Sequence, residues 1–324
     1  MPQLEEPATA IMMDPVFAPA NMANMYHMTP RFFYDGRILK PGDFDFDFAV
    51  GTAGTDFDLL REGVRLKEDS EISYYTDFGY RFGLFENLGP LSIPSEIYTQ
   101  LPVLFGDHKM SSELPIVGAK GGKFPVDDVD ESFAFGKWVW GLRFGLFSET
   151  GWTPRTVLGG SIGLPIDDSI ASDSTDFDLR LTFEKHLGSF LIGNLYGGYL
   201  FPGDGKEVLT DAGANEDGNV PYAGLLFQTD LSHLTGRDVW LHFGGSWRDA
   251  LYDFGHIGPD YGEEEVRATV GLTFDMGWWG CTAGRPQGMI GMDYNVAGGP
   301  EEGEIELVTR FRFPYWTGKH WPCN

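Results

Sequence analysis

The stretch from Glu71 to Leu104 constrains this chain more than any other. In its first arm Ile72, Tyr74, Thr76, Phe78, Tyr80, Phe82 and Leu84 alternate with Ser73, Tyr75, Asp77, Gly79, Arg81 and Gly83. Successive side chains of a strand point to opposite faces, so this arm has one apolar and one polar, charged face. The second arm repeats the pattern, with Ile93, Ile97, Leu101 and Val103 opposed to Ser92, Glu96, Tyr98 and Gln100. The apolar face persists for about ten residues, the length a tilted strand needs to cross a bilayer. Strands in soluble sheets are typically about 5–6 residues long. Asn87 and Gly89 are expected to supply the tight turn between the arms. The stretch therefore reads as a membrane hairpin.

The same alternation recurs along the chain. A first strand is predicted over Asp43–Gly51, where Phe44, Phe46, Phe48 and Val50 alternate with Asp43, Asp45 and Asp47. After the hairpin, strands are predicted over Phe133–Phe147, Arg155–Ile166, Thr175–Lys185, Phe190–Phe201 and Val220–Leu231. The faces of Phe190–Phe201 cannot be assigned from its residues. Further strands follow around Val239–Arg248 and Val266–Met276, then over Gln287–Val296 and Glu304–Tyr315. Residues 1–42 carry no such period and are broken by several prolines, which predicts an irregular segment on the periplasmic side or folded into a lumen.

The count is about twelve, and the connections alternate long and short, the asymmetry of transmembrane barrels. An even count puts both termini on the short-turn side. Aromatic residues fall near the predicted strand ends. Trp138, Tyr199, Tyr222, Trp247 and Tyr294 lie at the long-loop end, and Trp152, Trp278, Trp279 and Trp316 at the other. Forty-four Gly and a 15% aromatic content suit strands that bend and meet lipid, and a mean hydropathy of -0.20 fits strands apolar on one face only. No apolar run approaches the ~18–20 residues of a membrane helix. Over residues 43–316 the chain resembles the bacterial outer-membrane β-barrel class, porin-like, at the level of the class.

That resemblance implies an all-β fold: one antiparallel transmembrane barrel of about 12 strands with short periplasmic turns and long acidic outer loops. Residues 1–42 are then expected to form a periplasmic or plug segment, and 317–324 a periplasmic tail. The resemblance further implies outer-membrane lipid as the surrounding partner. MPQLEEPATA is acidic and lacks the cationic and apolar regions of a signal peptide, so the sequence as given is expected to be a processed or re-engineered mature form.

Forty-eight Asp and Glu against 23 Lys and Arg give a formal charge of -25, which argues against nucleic acid as a partner because phosphates would be repelled. A protein partner at the periplasm or surface would dock through residues 1–42 or the outer loops. The alternation predicts a lumen lined by acids and bases together. The acids are Asp43, Asp45, Asp47, Asp77, Glu96, Asp176, Asp178, Glu184, Asp275, Glu304 and Glu306. The bases are Arg81, Lys137, Arg143, Arg155, Arg180, Arg248, Arg267, Arg310 and Arg312, with His242 beside them. A charged ring in a narrow bore selects ions by sign.

Other constellations are weaker. Cys281 and Cys323 both fall on the predicted periplasmic side, where an oxidising compartment permits a disulfide. Met22, Met25, His27 and Met28 offer copper-type ligands but at low density, which favours packing. Asp127, Asp128 and Asp130, and Asp211, Asn215, Asp217 and Asn219, lack the spacing of a calcium loop and read as solvated faces. No metal or cofactor is therefore expected. His242, Ser246 and Asp249 raise the question of hydrolysis, but four residues along a strand separate His242 from Ser246 by about 13 Å, beyond a base's reach. The expectation is a non-enzymatic, narrow passive channel for small solutes or ions. The alternatives are a plugged structural or interaction barrel anchoring a partner and, less favoured, a lipid-modifying enzyme.

Overall fold

Alternating strands that carry an apolar face on one side and charges on the other have one stable arrangement in lipid. They must close, so that every backbone N–H and C=O is paired and the charges turn inward. A computed structural model of the chain shows this closure. It describes residues 36–53, 58–61, 64–70, 73–88, 93–112, 116–117, 123–124, 129–166, 175–201, 215–216, 220–249, 252–253, 264–276, 286–297 and 305–315.

Twelve antiparallel strands form the barrel. They are β1 (Phe44–Ala53), β2 (Ser73–Leu88), β3 (Ile93–Ser112), β4 (Trp138–Phe147), β5 (Arg155–Leu164) and β6 (Asp176–His186). There follow β7 (Leu191–Phe201), β8 (Val220–Asp230), β9 (Val239–Arg248), β10 (Glu265–Asp275), β11 (Gln287–Ala297) and β12 (Ile305–Tyr315). Each strand pairs with its sequence neighbours, and β12 returns to pair with β1 from Phe44↔Tyr315 to Thr52↔Leu307. The order is a simple meander whose two ends meet.

The expected strands appear nearly where the alternation places them. Three details differ. The predicted strand Phe133–Phe147 is broken at Gly136–Lys137. Its first part belongs to a strand over Val129–Phe135 that pairs with the outer half of β3, and β4 resumes at Trp138. The connection after β1, where no strand is predicted, holds short strands at Asp58–Arg61 and Val64–Ser70, the second of which pairs with the far end of β3. Asn87, expected in a turn, belongs to β2, whose end is irregular, with register shifts at Gly83/Phe85 and Phe85/Leu88. A bulge lengthens one arm and moves the turn along the chain. Gly89 lies outside the described residues.

Burial follows the predicted alternation. Phe46, Val50, Phe78, Tyr80, Leu142, Leu179, Phe243, Val270, Leu272, Ile290 and Leu307 are exposed on the outside, while Asp45, Asp47, Asp77, Arg81, Glu96 and Arg143 are buried. Large apolar groups outside and charges inside invert a soluble protein. Lipid is the solvent that makes this pattern favourable. Aromatic rings cross the β1 neighbourhood on the outer face, Phe48 lying 5.3 Å from Phe78 and 6.5 Å from Phe311. Such cross-strand pairs help fix register.

The β4–β5 turn is tied to its neighbour. Thr150 and Thr153 close it through reciprocal backbone hydrogen bonds, with Gly151 at φ 49°. The Glu149 carboxylate accepts from Lys185 Nζ at 2.8 Å and from the His186 backbone N–H at 3.0 Å, and it also meets His186 Nδ1 at 2.6 Å. Partial burial pushes this carboxyl up, but the bonds from Lys185 and His186 outweigh it and hold it at about 2. The contribution of this tie is full above the ordinary value of 4.5 and is lost as pH falls towards 2. Glu149→Gln should flatten the dependence of urea stability on pH between those values. An unchanged slope in the variant would show that the tie does not act.

The apolar outer face can be tested by charge. Val270→Arg, near the middle of β10, should lower stability in lipid vesicles by about 2–4 kcal/mol, as a cation does at the bilayer midplane. A change under about 0.5 kcal/mol in urea titration, against that expected range, would contradict a lipid-facing Val270.

Candidate functional site: the charged bore

The inner wall is built from the odd positions of β1 and their register partners. Asp45 stands beside Arg81 on β2 and next to Arg312 on β12. Arg81 Nε donates to Asp45 Oδ2 at 2.8 Å, and Arg312 Nε donates to the same oxygen at 3.1 Å. Arg81 Nη1 lies 3.7 Å from Glu96 Oε1, which accepts from Arg143 Nη1 at 2.6 Å. The series Arg312–Asp45–Arg81–Glu96–Arg143 therefore alternates in sign across five neighbouring strands. Arg310 pairs with Asp47 one step further in. Arg155 Nη1 meets Glu184 Oε1 at 3.0 Å on β5 and β6. All of this lies towards the short-turn end.

A second tier occupies the long-connection end. Lys137 Nζ pairs with Asp176 Oδ2 at 2.5 Å. Arg180 Nε donates to the Tyr222 hydroxyl at 2.7 Å, and that hydroxyl donates to Asp178 Oδ2 at 2.6 Å. The Arg180 guanidinium also lies 4.4 Å from the Tyr222 ring centre and 5.5 Å from that of Tyr196. Tyr222 can lie along the wall because Gly198 is beside it: a Cβ there would stand 2.4 Å from the tyrosine oxygen. Glu265 is held between Arg248 and Arg267. Buried charges persist only when paired, and pairing is the rule in both tiers.

Further around the circumference, β7–β9 present a neutral wall. Asn194, Gln228, Trp240 and His242 are buried there, and His242 Nε2 shares a 2.6 Å hydrogen bond with Thr273 Oγ1. That contact, rather than one with Ser246, occupies the imidazole.

The chain ahead of β1 enters this bore. The Gly36 N–H donates to Glu184 Oε2 at 3.0 Å, and the Leu39 N–H donates to Glu96 Oε2 at 2.7 Å. Arg143 Nη1 donates to the Arg37 carbonyl at 3.3 Å. Gly83 pairs by backbone with both ends of the following turn, accepting from the Gly42 N–H at 3.3 Å and donating to the Asp43 carbonyl at 2.9 Å. A Cβ on Gly83 would stand 2.0 Å from the Lys40 carbonyl oxygen. Residues 36–43 thus run from β6 to β2 on the inside of the wall.

The expected lining residues can be placed individually. Asp43, Asp45, Asp47, Asp77, Arg81, Glu96, Lys137, Arg143, Asp176, Asp178, Arg180, Glu184, His242, Arg267, Arg310 and Arg312 are buried. Arg155, Arg248 and Asp275 are half-buried at strand ends. Glu306 is described as backbone only, opposite Asp293, and Glu304 lies outside the described residues. Cys281, Cys323, Met22, Met25, His27, Met28, Asp127, Asp128, Asp211, Asp217 and Asn219 also lie outside them, and Asp130 and Asn215 are described as backbone only.

Sequence reasoning missed several inward groups. Glu265, read as part of the loop before β10, is buried as the first residue of that strand. Asp293 on β11 is buried and accepts from Thr269 Oγ1 at 2.5 Å. Asn194 is the buried amide of β7, whose inner face also carries Ile192, Tyr196 and Leu200 while Leu195 and Tyr199 face out. Apolar residues on both sides of β7 are the reason its alternation gives no face. Tyr222, expected in an outer aromatic girdle, is instead buried between Asp178 and Arg180. Trp138, Tyr199 and Tyr294 are exposed on the outside as expected, and Trp247 is half-buried with its Nε1 donating to Glu264 at 2.8 Å. Trp152 is exposed in the β4–β5 turn, while Trp278, Trp279 and Trp316 lie outside the described residues.

The chain matches no protein-family model and no curated protein sequence. Among solved structures, an outer membrane channel from Pseudomonas putida F1 superposes on 89% of this chain and 100% of its own, with a TM-score of 0.57 and 14% identity. The fold is that of a bacterial outer-membrane β-barrel. A Pseudomonas aeruginosa FadL homologue covers 94% of this chain and 99% of its own, at 8% identity and a TM-score of 0.42. The Pseudomonas putida toluene transporter TodX covers 85% and 91%, at 11% and 0.41. As an outer-membrane barrel, the chain meets lipid with the apolar belt described above and keeps its charges within.

Asp45→Ala leaves Arg81 and Arg312 buried without their shared carboxylate. It should cost about 3–5 kcal/mol, the usual penalty for breaking a buried pair from one side. Urea titration of the refolded barrel measures this, and a loss below about 1 kcal/mol, well under that penalty, would contradict the arrangement.

Proposed function

We propose that this chain is a narrow passive channel for small polar solutes or ions across the outer membrane, held closed near its periplasmic end by residues 36–43. The observation that carries the reading is a polar, charged inner face running from one end of a closed twelve-strand barrel to the other. A barrel of that size lies between those filled by side chains and those with wide aqueous bores. The fold shared with an outer membrane channel supports the same reading.

Acidic residues crowd the long connections. Asp167, Asp168 and Asp173 join β5 to β6, Glu263 and Glu264 precede β10, and Glu301, Glu302 and Glu304 precede β12. Such a rim raises the local concentration of cations, while the paired charges of the bore add little net field. Salt screens a rim of this kind, with a Debye length of about 10 Å at 0.1 M and about 3 Å at 1 M.

A second reading has its own support. The carboxylates of Glu96 and Glu184 grip backbone N–H groups of residues 36–39, which suits a permanently plugged scaffold that anchors a partner. Single-channel recording separates the two. Gly83→Val should push the Lys40 carbonyl away and produce larger or more frequent current steps than the parent protein, and removal of residues 1–41 should do so more strongly. The steps should favour cations at 0.1 M salt, with the preference fading towards 1 M, as screening at about 10 Å and about 3 Å requires. Silent bilayers from both variants, correctly folded and inserted, would overturn the channel reading and leave the scaffold.

A further inference from the structure

The inner wall grips residues 36–43 by their main chain. Glu184 accepts from the N–H of Gly36, Arg143 donates to the carbonyl of Arg37, and Glu96 accepts from the N–H of Leu39. Gly83 then pairs by backbone with Gly42 and Asp43. Acceptor, donor and acceptor follow one another along the wall as N–H and C=O groups do along a polypeptide. We propose that this stretch of wall is a binding site for a short extended peptide supplied in trans, a site that residues 36–43 occupy in cis. Binding there does not depend on whether the barrel conducts.

The site belongs to the wall rather than to its occupant. Glu184 presents Oε2 to the segment while Arg155 Nη1 holds Oε1 at 3.0 Å. Glu96 presents Oε2 while Arg143 Nη1 holds Oε1 at 2.6 Å. Each carboxylate is thus anchored by an arginine of the barrel and keeps its aim when the segment leaves. A site ordered in advance loses less freedom on binding. Residues 36–43 precede β1, so their departure unpairs no barrel strand.

Shape adds a preference for sequence. A Cβ on Gly36 would stand 2.6 Å from the Glu184 Cβ, so glycine is the residue that fits there. Ile38 lies along Gly145, its Cγ1 3.3 Å from where a Cβ on that glycine would be, and Leu39 is buried. The ligand is therefore a peptide with glycine two positions ahead of a pair of aliphatic residues. Main-chain hydrogen bonds supply the affinity and recesses for side chains the selectivity, the division seen in other sites that take extended peptides.

A tethered occupant competes at an effective concentration on the order of millimolar, so the test weakens the occupant and leaves the wall intact. Gly36→Val in the full chain does this. The probe is the acetylated, amidated peptide GRILKPGD, the sequence of residues 36–43, followed by titration calorimetry. It should bind the Gly36→Val barrel saturably and at least about tenfold more tightly than the parent, whose own segment fills the site. A barrel lacking residues 1–41 should bind it at least as tightly as Gly36→Val. The same peptide N-methylated at its leucine should bind at least about tenfold more weakly, because it lacks a donor to a carboxylate. The peptide with valine in place of its glycine should be weakened likewise. Proper folding of each variant is checked by the faster gel mobility of unheated barrel. No saturable binding to either variant, binding that N-methylation leaves unchanged, or a parent as tight as both variants would overturn the proposal.

Discussion

Everything in this structure depends on closing β1 against β12. In hydrocarbon an unpaired backbone group costs several kcal/mol, so an open sheet edge cannot persist. The closing pair runs in register from Phe44 to Thr52, and its two faces are stitched differently. Outside, Phe46 and Phe48 pack against Phe313 and Phe311. Inside, Asp45 and Asp47 receive Arg312 and Arg310. A slip of one residue would turn those aspartates into lipid and the phenylalanines into the bore. Chemistry on both faces therefore fixes one register for the seam.

The same aspartates organise the bore. Once Asp45 is shared by Arg81 and Arg312, Arg81 reaches Glu96, and Glu96 holds both Arg143 and the Leu39 N–H. The wall and the segment inside it are thus parts of one network. Strand pairing alone would fix the barrel's shape but would not hold residues 36–43 in place. The carboxylates turn that segment into part of the inner wall, and Gly83 provides the clearance for it.

Much of the fold was legible because period-two alternation is dense in this sequence. Phe44–Val50, Phe78–Leu84 and Phe177–Phe183 each alternate without error, and their inward charges were identified with them. Legibility ended where alternation fails. β7 places Ile192 and Leu200 inside and two glycines, Gly193 and Gly197, on the outward face, so its faces could not be told apart. Glu265 sits in a run of acids, and only the register Arg248↔Glu265 distinguishes it from its neighbours. Tyr222 suits an interfacial belt or a buried network equally well, and its hydrogen bonds to Asp178 and Arg180 decide for the second. The grip of Glu96 and Glu184 on residues 36–39 had no local signal at all, because it joins residues far apart in the chain through backbone donors.

A closed barrel turns one face of every strand to lipid and the other to a polar bore, and every other feature described follows from that division. A nitroxide scan along β12, one position at a time from Leu307 to Phe313 in lipid vesicles, tests it most directly. Oxygen accessibility should be high at 307, 309, 311 and 313 and low at 308, 310 and 312, following the exposure of that strand. A flat profile, or the opposite phase, would contradict it.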